Sequence, residues 1–277
     1  MGEQYAVLHH ITKGYSTDEK YVVQNGNEKM IVRLFEGNQE RRGQEFAILQ
    51  KLEQLGAKTL RGISIEEGKM VTSYIEGYDA EEVIETLSAD EQYAVGWEAS
   101  RDLRKIHSIE AGENTWYDYQ LAKYRRYVEQ YRELPVQVPH EEQIIRFIEE
   151  RIPLMKERPS VLQHDDFHLS NLIIHNGKYA GAIDFGRFDW GDPVFDFIKL
   201  GMFSTEQSVP FAVGMIEGYH DGKPSQSFWE LYALYLAMNV FAVIVWGQGN
   251  ERNMRHAKRI IQDHEGFTSS MPAWYRP

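Results

Sequence analysis

An α+β fold in two parts is what this sequence predicts, and three observations predict it. The first 75 residues read as short strands interrupted by a single helix. From Gly77 onward the pattern is mostly helical, and charge is divided unevenly between the two parts. A run of strands followed by a run of helices marks an α+β arrangement rather than an alternating one. The expected organisation is a small antiparallel sheet over residues 1–75 and a larger, mostly helical lobe over residues 76–277.

The first strands are expected at residues 5–11, 20–25 and 29–35. In Met30-Ile31-Val32-Arg33-Leu34-Phe35 one face carries Met30, Val32 and Leu34, and the other carries Ile31, Arg33 and Phe35. One charge among apolar neighbours suits a half-buried strand with a purpose for that charge. Asn25-Gly26-Asn27 before it is a hairpin signal. Residues 39–55 repeat Ile48, Leu52 and Leu55 at helical spacing and stop at Gly56. Strands at 62–66 and 69–75, joined at Glu67-Gly68, complete the sheet.

Helices follow. One short candidate spans 79–87, and Ser88 with Glu91 forms a capping box opening a helix that runs to His107. Two more are expected at 117–133 and 141–156, separated by Pro135 and Pro139. Residues 161–184 turn β-like, and the chain is helical again after Pro193. The uncharged stretch Leu231 to Trp246 contains Asn239 and is shorter than a membrane span, so a buried helix is expected there, with its aromatics in the core.

Composition narrows the classes. Hydrophobic residues at 42% and charged residues at 26% describe a folded chain. The absence of cysteine removes disulfides, thiolate zinc sites and a Cys nucleophile, and fits a reducing, cytoplasmic location. Met1 to Thr12 lack the basic-then-apolar order of a signal peptide. A net charge of −12 argues against nucleic acid as a partner. Residues 1–75 balance ten Lys and Arg against ten Asp and Glu, so the whole −12 lies in the larger lobe. That surplus serves solubility or attracts a cationic partner. The run Glu76 to Glu98, with eight acids and no base, is expected to be a solvated helical face.

The densest polar cluster is Gln163-His164-Asp165-Asp166-Phe167-His168-Leu169-Ser170-Asn171. An apolar run, a turn at Asn176-Gly177 and a second short run lead from it to Asp184-Phe185-Gly186, then to Gly191-Asp192-Pro193 and Asp196. Two short strands paired as a hairpin bring Asn171 and Asp184 to one edge. Both are oxygen ligands of the kind that suits Mg²⁺. Asp166 precedes them in the loop, free to orient a hydroxyl and accept its proton.

With its H-x-D-x-x-x-x-N loop, strand-turn-strand and apolar-Asp-Phe-Gly, the sequence resembles the aminoglycoside phosphotransferase and choline kinase family of small-molecule kinases. The resemblance implies a two-lobed protein kinase-like fold, with residues 1–75 binding the nucleotide and 76–277 holding catalytic and acceptor sites. It implies Asp166 as catalytic residue, Asn171 and Asp184 as metal ligands, and ATP or GTP with Mg²⁺. Upstream, it implies a phosphate-covering turn at Lys13-Gly14-Tyr15-Ser16-Thr17, where Ser16 and Thr17 contact phosphates. Arg33 paired with Glu45 takes a place where the family usually has Lys. The hinge would be Thr72 to Gly77, with backbone groups of Ser73 and Ile75 on the purine and Thr72 gating the pocket behind. Asp165 stands where the family usually has Gly or Asn, and a short polar side chain still manages an unusual backbone angle. No long segment separates Asp184 from Asp192, so protein substrates are disfavoured.

The acceptor implied is small, with a polycationic aminoglycoside first. Choline-like amines, methylthioribose-like sugars, sugar amines and macrolides stand as alternatives. A metal-dependent hydrolase built on His164, Asp165, Asp166 and His168 with Asp184, Asp189 and Asp192, or an inert kinase-like binding module, are the readings from other classes. His107 is expected to cap or pack at its helix end, and His168 to hydrogen-bond within the loop.

Overall fold

The structure is a computed structural model that describes residues 5–13 and 17–276. Its first part is a five-stranded antiparallel sheet with one helix packed beside it. The strands are β1 (Ala6–Ile11), β2 (Glu19–Asn25), β3 (Glu28–Leu34), β4 (Gly62–Glu66) and β5 (Lys69–Ser73), and α1 (Gln39–Gln54) lies between β3 and β4. Strand order is β1-β2-β3-β5-β4. The Asn-Gly signal becomes a two-residue turn, with Asn25 paired to Glu28 and Gly26 at φ 60°. Strand alternation then sorts the side chains. Val23, Met30, Val32 and Val71 cluster on one face, while Val22, Ile31 and Arg33 point into a cleft on the other.

The second part is mostly helical. It runs through β6 (Tyr78–Asp79), α2 (Ala80–Val83), α3 (Ala89–Ile106), α4 (Trp116–Arg132), α5 (Glu141–Arg151), β7 (Val161–Gln163), β8 (Leu172–His175), β9 (Lys178–Ala182), β10 (Asp189–Gly191), α6 (Ile198–Met202), α7 (Val209–His220), α8 (Gln226–Trp246) and α9 (Glu251–Asp263). The capping box is present: Ser88 Oγ accepts from the Glu91 N–H, and the Glu91 carboxylate accepts from the Ser88 N–H at 2.9 Å. The helix expected to reach residue 156 leaves α geometry at Ile152, because Pro153 has no N–H to continue the ladder, and a 3₁₀ turn takes over. The sheet strand expected to reach residue 75 ends at Ser73. Two small pairings join distant segments, β6 with β8 and β7 with β10.

The main core forms around α8. Its side chains from Phe228 to Ile244 are buried except that of Glu230, and α4, α5 and α9 pack on it. Among the described residues α8 alone is long and apolar enough to cross a membrane, and 89% of that window is buried inside the protein. The expected buried helix is therefore found, with Asn239 donating to the Tyr235 carbonyl at 2.8 Å, although Trp246, expected in the core, is 47% exposed at its end.

Helices α3 and α7 approach at backbone distance. A Cβ at Gly214 would stand 2.1 Å from the Tyr93 carbonyl oxygen, and one at Gly96 would stand 2.2 Å from that of Phe211. Rigid backbone cannot yield as a side-chain tip does. Gly214→Ala is expected to cost about 1–3 kcal/mol, the usual penalty of overpacking. A fall of several degrees in Tm checks this, and an unchanged Tm would contradict the close approach.

Candidate active site

The hairpin β8–β9 sets the geometry. Leu172 is paired with Ala182, and the Ile183 N–H donates to the Asn171 carbonyl at 2.9 Å. Asn171 and Asp184 therefore leave the hairpin at the same end, as expected, and both line the cleft. The Asn171 amide is oriented by its own bond, Nδ2 to the Asp166 carbonyl at 2.8 Å. This turns its oxygen away from that carbonyl.

The loop before β8 hangs from buried polar groups. His164 is fully buried, its Nε2 donating to the Ile183 carbonyl at 2.9 Å and its Nδ1 accepting from the Asp166 N–H at 3.3 Å. This spends both ring nitrogens on holding the loop to the hairpin. The N–H groups of His164 and Asp165 donate to the Asp196 carboxylate at 2.8 and 2.7 Å, and His107 Nε2 meets the same carboxylate at 3.0 Å. Asp165 adopts φ 57°, the unusual angle expected of it. Burial raises its pKa, and Asp196 and Asp189 add to the rise against the opposing charges of Lys199 and Lys123.

Asp166 stands among cations. Its carboxylate lies 3.3 Å from His168 Nε2, 3.6 Å from Lys199 Nζ and 3.8 Å from Arg187. Burial alone would raise its pKa. The His168 hydrogen bond and the Lys199 charge outweigh that and hold it well below the usual carboxylate range. Asp184 is depressed as well: burial pushes up, and the charges of Lys20 and Arg33 pull down harder. Lys20 Nζ is 3.6 Å from it.

On the sheet side, Arg33 and Glu45 pair at 2.9 and 3.2 Å, both buried. They belong to a larger set. Arg33 Nε is 2.7 Å from Asp18, and Arg42 bonds Glu45 at 2.8 Å and Asp18 at 2.5 Å. The other upstream expectations fare differently. Thr72 and Ile75 line the cleft with Tyr74 between them, but Ser73 does not. The Ser73 N–H already donates to the Arg61 carbonyl at 2.9 Å, so it is not a free donor for a purine. Thr17 is exposed and is not among the residues lining the cleft, and Ser16 lies outside the described residues.

Between these walls the cleft encloses about 1350 Å³. Ile11, Val22, Ile31, Met70 and Thr72 line one end, and Phe203, Gln207, Trp246, Arg252 and His256 the other, with Asp166 and Asp184 between. Among the described residues no group of three or more His, Asp or Glu side chains converges as a metal-binding cluster.

A family model described as the phosphotransferase enzyme family, APH, matches residues 7–229. The chain belongs to this phosphotransferase family. No curated protein matches it. Solved structures share the fold of this phosphotransferase at low identity. A gentamicin complex of APH(2″)-IIa has a TM-score of 0.65 at 20% identity, covering 96% of this chain and 93% of that one. ADP-bound aminoglycoside phosphotransferase APH(2″)-Ib gives 0.63 at 18%, covering 98% and 94%. Aminoglycoside phosphotransferase APH(4)-Ia gives 0.70 at 12%, covering 94% of each chain. The protein kinase-like fold expected from the resemblance is thus the fold of this phosphotransferase.

Sequence reasoning overlooked Lys20, Lys199, Asp18 and Arg42. Lys199 carried a signal, as the one charge in the apolar run Phe197-Ile198-Lys199-Leu200. It is 6% exposed and points at Asp166.

The depressed pKa of Asp166 has a consequence for stability. Its folded value lies below the ordinary 3.8, so the ionised group stabilises the fold at every pH above the unfolded value. That contribution is lost as pH falls through the folded pKa. Asp166→Asn is expected to be less stable than wild type from about pH 8 to 5, with the gap closing below about pH 4. Thermal melts across this range check it; a gap that stays constant with pH contradicts it.

Proposed function

We propose that this phosphotransferase moves the γ-phosphoryl group of ATP or GTP to a hydroxyl of a small molecule. The observation that carries the reading is the convergence of Asp166, Asn171 and Asp184 at one end of a hairpin, facing the buried Arg33–Glu45 pair across a single cleft. The Asn171 amide oxygen and the Asp184 carboxylate are hard oxygen donors, a set that fits Mg²⁺. Bound there, Mg²⁺ would neutralise charge on the phosphates and hold them for in-line transfer. Asp166 is ionised, and it accepts a hydrogen bond from the acceptor hydroxyl and then its proton. A carboxylate held so acidic is a weak base, so its main contribution is orientation. Lys199 and His168 keep that carboxylate charged and fixed. The apolar end takes the purine, with the backbone of Ile75 beside it and Thr72 behind. Catalysis rests on positioning and charge stabilisation.

The first acceptor class is the aminoglycosides. Solved structures of the same fold include gentamicin and streptomycin complexes of APH(2″)-IIa. A polycation also suits a chain of net charge −12. The cleft lining favours a second reading. Asp79 and Glu81 at the hinge side already hold Lys13 at 2.5 and 2.6 Å, while Arg187 and Lys199 beside Asp166 line the cleft with Arg252, and Glu206 there is paired with His256 and Arg259. An acceptor carrying an anionic group beside its hydroxyl matches that end.

One assay separates the two. The protein with Mg²⁺ and ATP or GTP is offered aminoglycosides, macrolides, choline and amino sugars alongside hydroxy acids and sugar phosphates. Nucleoside diphosphate release identifies the class. Asp166→Asn is expected to lower turnover by several powers of ten, about 10²–10⁴-fold, while nucleotide affinity is kept. Near-normal turnover by that variant would sink the assignment.

A further inference from the structure

We infer that Lys20, rather than Arg33, supplies the cation that meets the nucleotide's phosphates, with Arg33 serving as the centre of the ion-pair set beneath it. This rests on the phosphotransfer reading above and assigns a residue within that site.

Two of the three guanidinium nitrogens of Arg33 are already engaged. Its NH1 serves both oxygens of Glu45 and its Nε faces Asp18, with the side chain 8% exposed. Asp18 and Glu45 are in turn shared with Arg42. Two guanidinium groups and two carboxylates make a charge-balanced, buried set. A phosphate that drew Arg33 out of this set would leave two carboxylates unpaired in the interior, which is costly.

Lys20 has the opposite circumstances. It is the Cα partner of Arg33 in the β2–β3 ladder, so both side chains leave the sheet on the cleft face. Its ammonium stops 3.6 Å from Asp184. That carboxylate is the group assigned to the metal. A divalent cation on Asp184 would repel the ammonium, and a phosphate oxygen drawn in by the same cation would offer a new acceptor. A flexible four-carbon stem with three rotatable donors suits such a transfer, whereas a guanidinium fixed by two carboxylates does not.

The test compares full-length wild type with Lys20→Met, Lys20→Arg and Arg33→Met. Calorimetry gives the affinity for ATP with Mg²⁺ and for adenosine (GTP and guanosine, if that is the nucleotide wild type binds), and melting gives stability. Lys20→Met is expected to weaken ATP about 10- to 100-fold, the usual worth of a charged hydrogen bond, with adenosine affinity unchanged and Tm lowered less than in Arg33→Met. Lys20→Arg should recover part of the loss. Arg33→Met should lower Tm by several degrees. ATP affinity within twofold of wild type for Lys20→Met overturns the inference, as does an equal loss for adenosine. So does an Arg33→Met variant that keeps its Tm yet loses ATP. Wild type that binds neither ATP nor GTP overturns the phosphotransfer reading itself, a different result.

Discussion

A single buried carboxylate holds in place the loop that carries Asp166. Asp196 is 1% exposed and receives two successive backbone N–H groups, from His164 and Asp165, while His107 reaches it from the end of α3. A non-glycine residue in left-handed geometry costs about 1–2 kcal/mol, and the bond from the Asp165 N–H to Asp196 helps to offset that. Four residues earlier Asp192, with no exposed surface, binds Arg158 at 2.6 and 3.1 Å and accepts from the Tyr235 hydroxyl at 2.8 Å. Buried acids persist only when paired or hydrogen-bonded in this way. The segment Gly191-Asp192-Pro193 to Asp196 thus fastens the polar loop to α3 on one side and α8 on the other. The site's geometry is inherited from the helical core.

What the sequence disclosed and what it concealed follow from distance along the chain. The capping box at Ser88, the turn at Asn25-Gly26 and the hairpin that aligns Asn171 with Asp184 are local, and residue type alone specifies them. The pairings of β6 with β8 and β7 with β10 join segments far apart, and two or three residues leave no periodicity to read. Ser73 shows what a local reading leaves out. Its strand was placed correctly, yet its N–H was taken by Arg61, a residue that only the fold brings alongside. Arg33 was visible as a charge in an apolar strand, and its pairing with Glu45 came from the family resemblance. The companions Asp18 and Arg42 were not, because their contribution exists only once β2 lies beside β3.

Charge is also rearranged by the fold. The larger lobe carries all of the net −12, and the run beginning at Glu76 read as a solvated face. In the structure lysines of the first 75 residues meet that run: Lys13 with Asp79, Glu81 and Glu82, Lys29 with Glu76 at 2.9 Å, and Lys58 with Glu98 at 3.2 Å. Each exposed pair is worth little, about 0–1 kcal/mol, and salt screens it. Together they tie the sheet to the helices around the cleft. Part of the acid that suggested attraction of a ligand is therefore engaged in joining the two halves of the molecule.

Helix α8 also governs what happens when the fold is lost. Tyr235 on this helix ties Asp192 to Trp116, whose Nε1 donates to the same hydroxyl at 3.0 Å, so the polar loop is complete only when α8 is docked. Released from the core, its most apolar 18-residue stretch has a mean hydropathy of 1.7 and no neighbours to cover it. Such an exposed apolar segment is prone to associate with its like. Recovery after heating should then depend on protein concentration more than on intrinsic stability. The helix that finishes the site is also the chain's chief aggregation hazard.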